Sequence, residues 1–187
     1  ISTGAMAAVQ INTTIEEIAF VLLIGLGNAC AIMIGNEIGA GDKDVAFEHS
    51  RRFLIIGVLL AILLGIMVLF IREPVISLYE ISPRVAASAF KLMTVFSFTL
   101  WLRSINFILF IGALRAGGDT RFAMYMEIFS VWLIGVPAAL IGGFVLHLPV
   151  EGVYLLVLTE ELVKLLVIFR RFLSRKWIHD LVGVPVA

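Results

Sequence analysis

Two long runs without a charged residue constrain this chain more than any other feature. Phe53 to Ile71 contains neither charge nor proline, and Ile18 to Ile34 is also free of charge. Backbone N–H and C=O groups find no water inside a lipid bilayer, so a run of this length must be helical there. The chain is also 61% hydrophobic, whereas a soluble domain has about 45–50% apolar residues. We therefore predict an integral membrane protein.

The apolar segments are separated by corners rich in charge, glycine or proline. Their spacing predicts an all-α membrane helix bundle with five transmembrane helices and no strands. Arg72, Glu73 and Pro74 are expected to end the second helix, which a separate amphipathic segment over residues 42–52 precedes. Pro137 is expected to kink the fourth helix because it removes one backbone hydrogen bond. The predicted helices cover about residues 4–36, 53–71, 83–114, 121–146 and 150–173, and the tail from His179 is expected to be loosely held.

Lysine and arginine residues are divided unevenly between the two ends of these helices. One end receives Lys43, Arg51, Arg52, Arg115, Arg121, Arg170, Arg171, Arg175 and Lys176. The other end receives Arg72, Arg84 and arguably Lys91. Cytoplasmic loops carry the excess of Lys and Arg. We therefore predict a multi-pass protein of the cell membrane in which the first end, with the C-terminus, is cytoplasmic.

Glycine-rich corners follow the first and third predicted helices. Their residues are Gly39 and Gly41 in the first corner, and Arg115, Gly117, Gly118 and Asp119 in the second. Glycine adopts the positive φ values that end a helix. The Asp or Thr that follows Gly118 can accept hydrogen bonds from the first N–H groups of the next helix. The mechanical interpretation is a membrane hairpin turn, which Arg115 and Asp119 are expected to fix rather than to form a site.

Three segments, in order, resemble the second half of the multidrug and toxic compound extrusion (MATE) family. The first is Gly25-Leu26-Gly27-Asn28-Ala29-Cys30 with Gly35-Asn36-Glu37-Ile38-Gly39-Ala40-Gly41-Asp42. The second is Leu114-Arg115-Ala116-Gly117-Gly118-Asp119-Thr120 followed by Val131-Trp132-Leu133-Ile134-Gly135-Val136-Pro137. The third is Glu160-Glu161 and Lys164, then Ser174-Arg175-Lys176-Trp177-Ile178. Together these segments cover nearly the whole chain.

The resemblance implies both an architecture and an activity. In that family, twelve membrane helices form two lobes, and transport exchanges sodium or protons for organic cations. The chain would correspond to helices eight to twelve of a longer two-lobe transporter, whose missing N-terminal lobe would be its partner. The activity implied is multidrug efflux of small organic cations, driven by a proton or sodium gradient and requiring no bound cofactor.

The chain departs from the family pattern at the coupling site. In sodium-coupled members, a carboxylate on helix ten falls close to Arg103-Ser104, where this chain has no Asp or Glu. Another carboxylate lies on the helix that opens the second lobe. In some members, proton coupling is assigned to an aspartate of the first lobe. The resemblance therefore implies no complete coupling site within these residues.

Charged side chains at membrane depth are candidates for a substrate or ion pathway, because each costs several kcal/mol unless it is paired or faces water. The candidates are Glu16, Glu17, Arg103, Asn106, Glu160, Glu161 and Lys164. Helical spacing lets Lys164 pair with either Glu160 or Glu161, and Arg103 is expected to neutralise the remaining glutamate across the bundle. The cluster is either a structural ion-pair network or a proton- or substrate-linked site. Glu16 and Glu17 either border this cleft or lie at the membrane interface.

Other functional classes find little support. No nucleotide-binding loop, nucleophile elbow or metal-ligand spacing can be found, which predicts a chain that is not an enzyme and binds no metal. The formal net charge of +0 gives no reason to expect nucleic acid as a partner. Membrane lipid, in contrast, is an expected partner of the apolar helices. A lipid-linked oligosaccharide flippase of the same superfamily and a structural membrane subunit remain as alternatives. The corner from Leu114 to Thr120 favours the drug-exporting branch.

Overall fold

The computed structural model describes residues 3–179, and this part of the chain folds into five long helices packed side by side. They are α1 (Thr3–Gly39), α2 (Lys43–Ser77), α3 (Pro83–Arg115), α4 (Thr120–Val145) and α5 (Val150–Leu173). Within the described part there is no strand, and a single antiparallel bridge joins Gly118 to Ile178. The predicted all-α fold is confirmed.

The helices have the length and composition of membrane spans. By these criteria α1, α2, α3 and α4 can each cross a membrane. α5 has 24 residues, which at ~1.5 Å per residue exceeds the ~30 Å hydrocarbon core. It is more charged than the others, yet its Lys164 is buried against neighbouring helices rather than turned outward. The chain is therefore a multi-pass membrane protein.

The second helix is longer than predicted at both ends. Residues 42–52 do not form a separate segment, because the helix begins at Lys43, and Pro74 lies inside it. Near its beginning, the buried Ala46 and Ser50 tie α2 into the bundle. Beyond Pro74, Val75 and Ile76 pack against the apolar core. The local helix-breaking tendency of proline is thus outweighed by burial of the turn that follows it.

The third and fourth helices contain wide, π-helical turns. Ile108–Arg115 at the end of α3 is π-helical, and so are Val131–Gly135 and Ile141–Val145 in α4. Pro137 lies just after the first of the two turns in α4. A wider turn accommodates a residue that cannot donate a backbone hydrogen bond. The structure places a π-turn directly before Pro137, and the kink expected there stays a prediction.

Small residues set the closest helix–helix approaches. A Cβ added to Gly65 of α2 would lie 2.5 Å from the backbone oxygen of Ser97 in α3. A Cβ on Gly27 of α1 would lie 2.6 Å from the ring of Phe107. Gly25 and Gly35, in contrast, have open space beside them. Gly27 therefore lies at a close helix–helix contact of α1, whereas Gly25 and Gly35 do not.

The corner between α3 and α4 is held by the segment that follows α5. Gly118 has a φ of 88°, as expected, while Gly117 leaves room for Trp177, whose side chain is fully buried. His179 donates its backbone N–H to the carbonyl oxygen of Gly117 at 2.9 Å. The tail is thus held up to His179, and residues 180–187 lie outside the described residues.

Asp119 does not act as the expected helix cap. It occupies the N-cap position of α4, but its side chain makes no capping hydrogen bond. Its carboxylate instead accepts a 2.7 Å hydrogen bond from Nε of Arg171 in α5. Asp119 fixes the corner through this bond rather than through Arg115, whose side chain is exposed.

Candidate ion and substrate pathway

A buried polar cluster joins α1, α3, α4 and α5, and its first part is centred on Glu16. Asn12 donates to Oε1 of Glu16 at 2.6 Å, and Nη1 of Arg103 contacts Oε2 at 2.8 Å. The hydroxyl of Tyr154 also donates to Oε1. The side chains of Glu16 and Arg103 are 17% and 21% exposed. Glu16 is therefore a well-partnered carboxylate with its own cation.

The expected partner of Arg103 was wrong. Arg103 forms its ion pair with Glu16 on α1, and not with Glu160 or Glu161 on α5. Its guanidinium also lies 5.4 Å from the ring centroid of Tyr154. Helical spacing relates residues within one helix, so it could not show that α1 rather than α5 presents its carboxylate to Arg103.

Glu161 lies beside Asn106, which was another of the predicted candidates. Nδ2 of Asn106 donates to Oε2 of Glu161 at 2.6 Å and to the Glu161 backbone oxygen at 2.9 Å. Among residues 3–179, no nitrogen of Lys, Arg or His comes within 4.0 Å of this carboxylate. Glu161 therefore has an amide partner but no ion pair.

Lys164 is shared by two other carboxylates. Its Nζ lies 3.1 Å from Oε1 of Glu160, one turn earlier on α5, and 3.4 Å from Oε2 of Glu127 on α4. Lys164 is 8% exposed, whereas Glu127 is 48% exposed. The carboxylate of Glu160 packs against Gly135, where any Cβ would collide with it. The absence of a side chain in the π-turn of α4 thus makes room for this ion pair.

The cluster contains more carboxylates than cations. Four carboxylates, those of Glu16, Glu127, Glu160 and Glu161, face the two cations Arg103 and Lys164. When all are charged, this leaves a formal excess of two negative charges. Unpaired charge at membrane depth costs several kcal/mol. The arrangement therefore favours binding of a proton or another cation.

Several buried polar atoms of the cluster have no hydrogen-bond partner in the described part of the chain. They are Oδ1 of Asn12, Nε of Arg103 and Oδ1 of Asn106. Such atoms are costly to bury unless something hydrogen-bonds to them. Two of the three are acceptors, which fits a cluster that attracts cations.

The predicted candidates do not all belong to this cluster. Glu17 is exposed on α1 and takes no part in it. Tyr154, Asn12 and Glu127 belong to it but were not among the predicted site residues. Tyr154 precedes Glu161 by seven residues, so the two share a helix face. That seven-residue spacing is the sequence signal by which Tyr154 could have been predicted.

Comparisons with known proteins identify the family. The MatE family model matches residues 1–141. The uncharacterized transporter YisQ of Bacillus subtilis is 31% identical over 178 residues, covering 94% of this chain and 39% of the relative. The multidrug resistance protein MdtK of Pectobacterium atrosepticum is 29% identical over 158 residues, 84% of this chain and 31% of the relative. The probable multidrug resistance protein NorM of Thermotoga maritima is 25% identical over 177 residues, 92% of this chain and 37% of the relative.

The matches cover most of this chain but less than half of each relative. The chain spans 39% of the length of YisQ and a smaller share of MdtK and NorM. The family match nevertheless covers most of its residues, including the corner at Gly117 and Gly118 and the polar end of α3. The chain therefore belongs to the multidrug and toxic compound extrusion family.

Proposed function

We propose that this chain is the C-terminal part of a cation-coupled antiporter that exports small organic cations. The family membership supports a transporter, and relatives named multidrug resistance proteins support drug efflux as the transported class. The excess of carboxylates in the buried cluster is the observation in the structure that carries the coupling. The proposal includes no bound cofactor and no catalytic chemistry, with the proton or sodium gradient as the energy source.

Glu161 is the residue we assign to coupling. An antiporter needs a group that binds the coupling ion in one state and releases it in another. Glu16 is a poor choice because Arg103 already neutralises it at 2.8 Å. Glu161 hydrogen-bonds the amide of Asn106 and feels Lys164 and Arg103 only from beyond ion-pair distance, so a proton, a sodium ion or an organic cation could still bind it directly.

The other ion pairs then have a structural role. Glu16 with Arg103 ties α1 to α3, and Lys164 with Glu160 and Glu127 ties α5 to α4. Each of these two groups, one of two charges and one of three, keeps charged side chains from facing lipid alone. The cluster is thus divided into structural pairs and one coupling carboxylate, which combines the two interpretations left open by the sequence.

The test is the pH dependence of transport in the full-length protein. In cells expressing the transporter, Glu161→Gln should leave the protein folded but flatten the pH dependence of ethidium efflux, because the titrating group is gone. Glu17→Gln is the matched control, since Glu17 is an exposed glutamate of α1 outside the cluster. A well-folded Glu161→Gln protein whose efflux keeps both its pH dependence and its sodium dependence would overturn the assignment.

We also propose that the end of the bundle carrying the α3–α4 corner is cytoplasmic, in the cell membrane. The contact of Asp119 with Arg171 and that of Asp44 with Arg175 bring three basic segments together at this end. The excess of Lys and Arg there supports a cytoplasmic position.

A further inference from the structure

A groove lies at the end of the bundle that carries the α3–α4 corner, and it shares only Glu127 with the buried cluster. This groove has a volume of about 440 Å³ and runs between the π-helical end of α3 and the first turns of α4. Arg115, the last residue of α3, and Arg121, the second residue of α4, line its end nearest the corner. Phe110, Met124 and Ile128 line it further into the membrane span. The groove is therefore basic at one end and apolar along its length.

Four other basic residues at this end of the bundle are paired with carboxylates. Arg171 is paired with Asp119, Arg175 with Asp44, and Arg51 and Arg52 with Glu48. Within residues 3–179, no carboxylate lies within salt-bridge distance of Arg115 or Arg121. This end of the groove thus carries two positive charges that the described residues do not neutralise.

The acid that lines the groove does not change this balance. Glu127 lies two turns into α4, and its carboxylate contacts Nζ of Lys164 at 3.4 Å. Asp119 at the corner is likewise engaged by Arg171. The acids nearest to the groove are therefore directed to other cations.

Arg121 occupies a position that its own helix disfavours. The N-terminal end of a helix carries partial positive charge, so a cation in the first turn is repelled, whereas an anion is stabilised. The N-cap side chain, Asp119, makes no capping hydrogen bond, because it binds Arg171 instead. An anion at this end of the groove would meet two guanidinium groups and the uncapped first turn of α4 together.

We infer that the groove binds an acidic phospholipid of the membrane. Its phosphate would contact Arg115 and Arg121, and one acyl chain would follow Phe110, Met124 and Ile128. Basic pockets between membrane helices are typical sites for acidic lipid headgroups. Met124 and Ile128 are 49% and 52% exposed, so the apolar part of the groove is open to a chain. A free phosphate has the same headgroup chemistry but would leave this apolar surface uncovered.

The inference is independent of the transport chemistry. It requires that the chain spans a membrane and that the corner lies near the lipid headgroups. The proposed orientation matters only for which leaflet supplies the lipid, because acidic lipids are enriched in the cytoplasmic leaflet. Failure of the Glu161 assignment would leave the lipid site unaffected, and the reverse also holds.

Native mass spectrometry of the purified full-length protein tests the inference directly. The protein is mixed in detergent with dioleoyl phosphatidylglycerol or, separately, with dioleoyl phosphatidylethanolamine. The wild type should retain phosphatidylglycerol preferentially. Each of Arg115→Gln and Arg121→Gln should weaken that retention by about tenfold, because each removes charge-assisted hydrogen bonds to the phosphate. The control Arg51→Gln/Arg52→Gln removes two charges from the same end of the bundle, one more than either groove variant, and should still leave the preference unchanged.

A second variant keeps the charges and fills the groove. Met124→Trp/Ile128→Trp leaves both arginines in place, so lost retention in this variant would show that an acyl chain occupies the apolar part. Equal losses in the groove and control variants would overturn the inference in favour of unspecific surface attraction. Equal retention of phosphatidylglycerol by the wild type and by Met124→Trp/Ile128→Trp would also overturn it. So would glycerol phosphate displacing phosphatidylglycerol at comparable concentration, because that would indicate a site for soluble anions.

Discussion

At the scale of single residues, the partners of Arg103 and Lys164 decide how the cluster behaves. Both cations lie at membrane depth, but Arg103 is paired with one carboxylate and Lys164 with two. Truncating one member of a buried pair leaves the other charge without a partner, which costs more than replacing both. The contribution of the ion pair between Glu16 and Arg103 can be measured separately from that of Glu161, the proposed coupling carboxylate.

The first stability prediction concerns this ion pair. Glu16→Gln should destabilise the full-length protein by roughly 2–3 kcal/mol, below the range for a fully buried pair because both side chains keep some exposure. Arg103→Gln should do the same, and the double variant Glu16→Gln/Arg103→Gln should recover much of the loss. The effect is measured by heating each variant and quantifying the folded protein that remains by size-exclusion chromatography. Additive losses in the double variant would show that the two side chains are not coupled.

The sequence predicted which residues of the cluster are buried better than which residues they contact. Asn106 and Glu161 were expected in one cleft, and the structure joins them at 2.6 Å. The partner of Arg103 was wrong because a cross-helix contact depends on how each helix is rotated about its axis. The apolar periodicity of α1 and α5 does not fix that rotation, since membrane helices are apolar on the lipid side as well.

At the scale of elements, the sequence predicted the five helices more accurately than it predicted where they begin and end. Charge-free runs locate a membrane helix because the bilayer demands one there. The extension of α2 through Pro74 was missed because it depends on the burial of Ile76 against other helices, which no local rule contains. The π-turns of α4 were likewise not predicted from the sequence, which indicated only a kink at Pro137.

The contact between α2 and α3 provides a prediction at this scale. Gly65→Ala should lower stability by about 1–3 kcal/mol, because the new Cβ would meet the backbone oxygen of Ser97, which cannot rotate away. Gly35→Ala in α1 is the matched control, since open space lies beside it and alanine favours helix. Thermal unfolding of both variants measures the difference in their stability. A Gly65→Ala protein as stable as Gly35→Ala would mean that the α2–α3 approach is looser than described.

At the scale of the whole molecule, the turns divide into two sets. The turn after α1 and the corner after α3 lie at the end held together by Arg171, Arg175 and Trp177. The turn between α4 and α5, at Leu146 to Pro149, joins the opposite ends of those helices. Because helices α1 to α5 alternate in direction, assigning one turn to the cytoplasmic side also assigns every other turn to a side of the membrane.

Cysteine labelling tests that sidedness in the full-length transporter. In a background in which Cys30 and any other cysteine of the full-length protein are replaced, cysteines placed at Ala40 and Thr120 should react with an impermeant maleimide only after the cells are opened, because both exposed positions lie at the proposed cytoplasmic end. A cysteine at Leu148, exposed in the opposite turn, should react in intact cells. Thr120 is a better probe than Gly118, whose φ of 88° a cysteine would strain. Labelling of Ala40 and Thr120 from opposite sides would contradict the shared end of the bundle. Labelling of both from outside would invert the orientation and leave the fold intact.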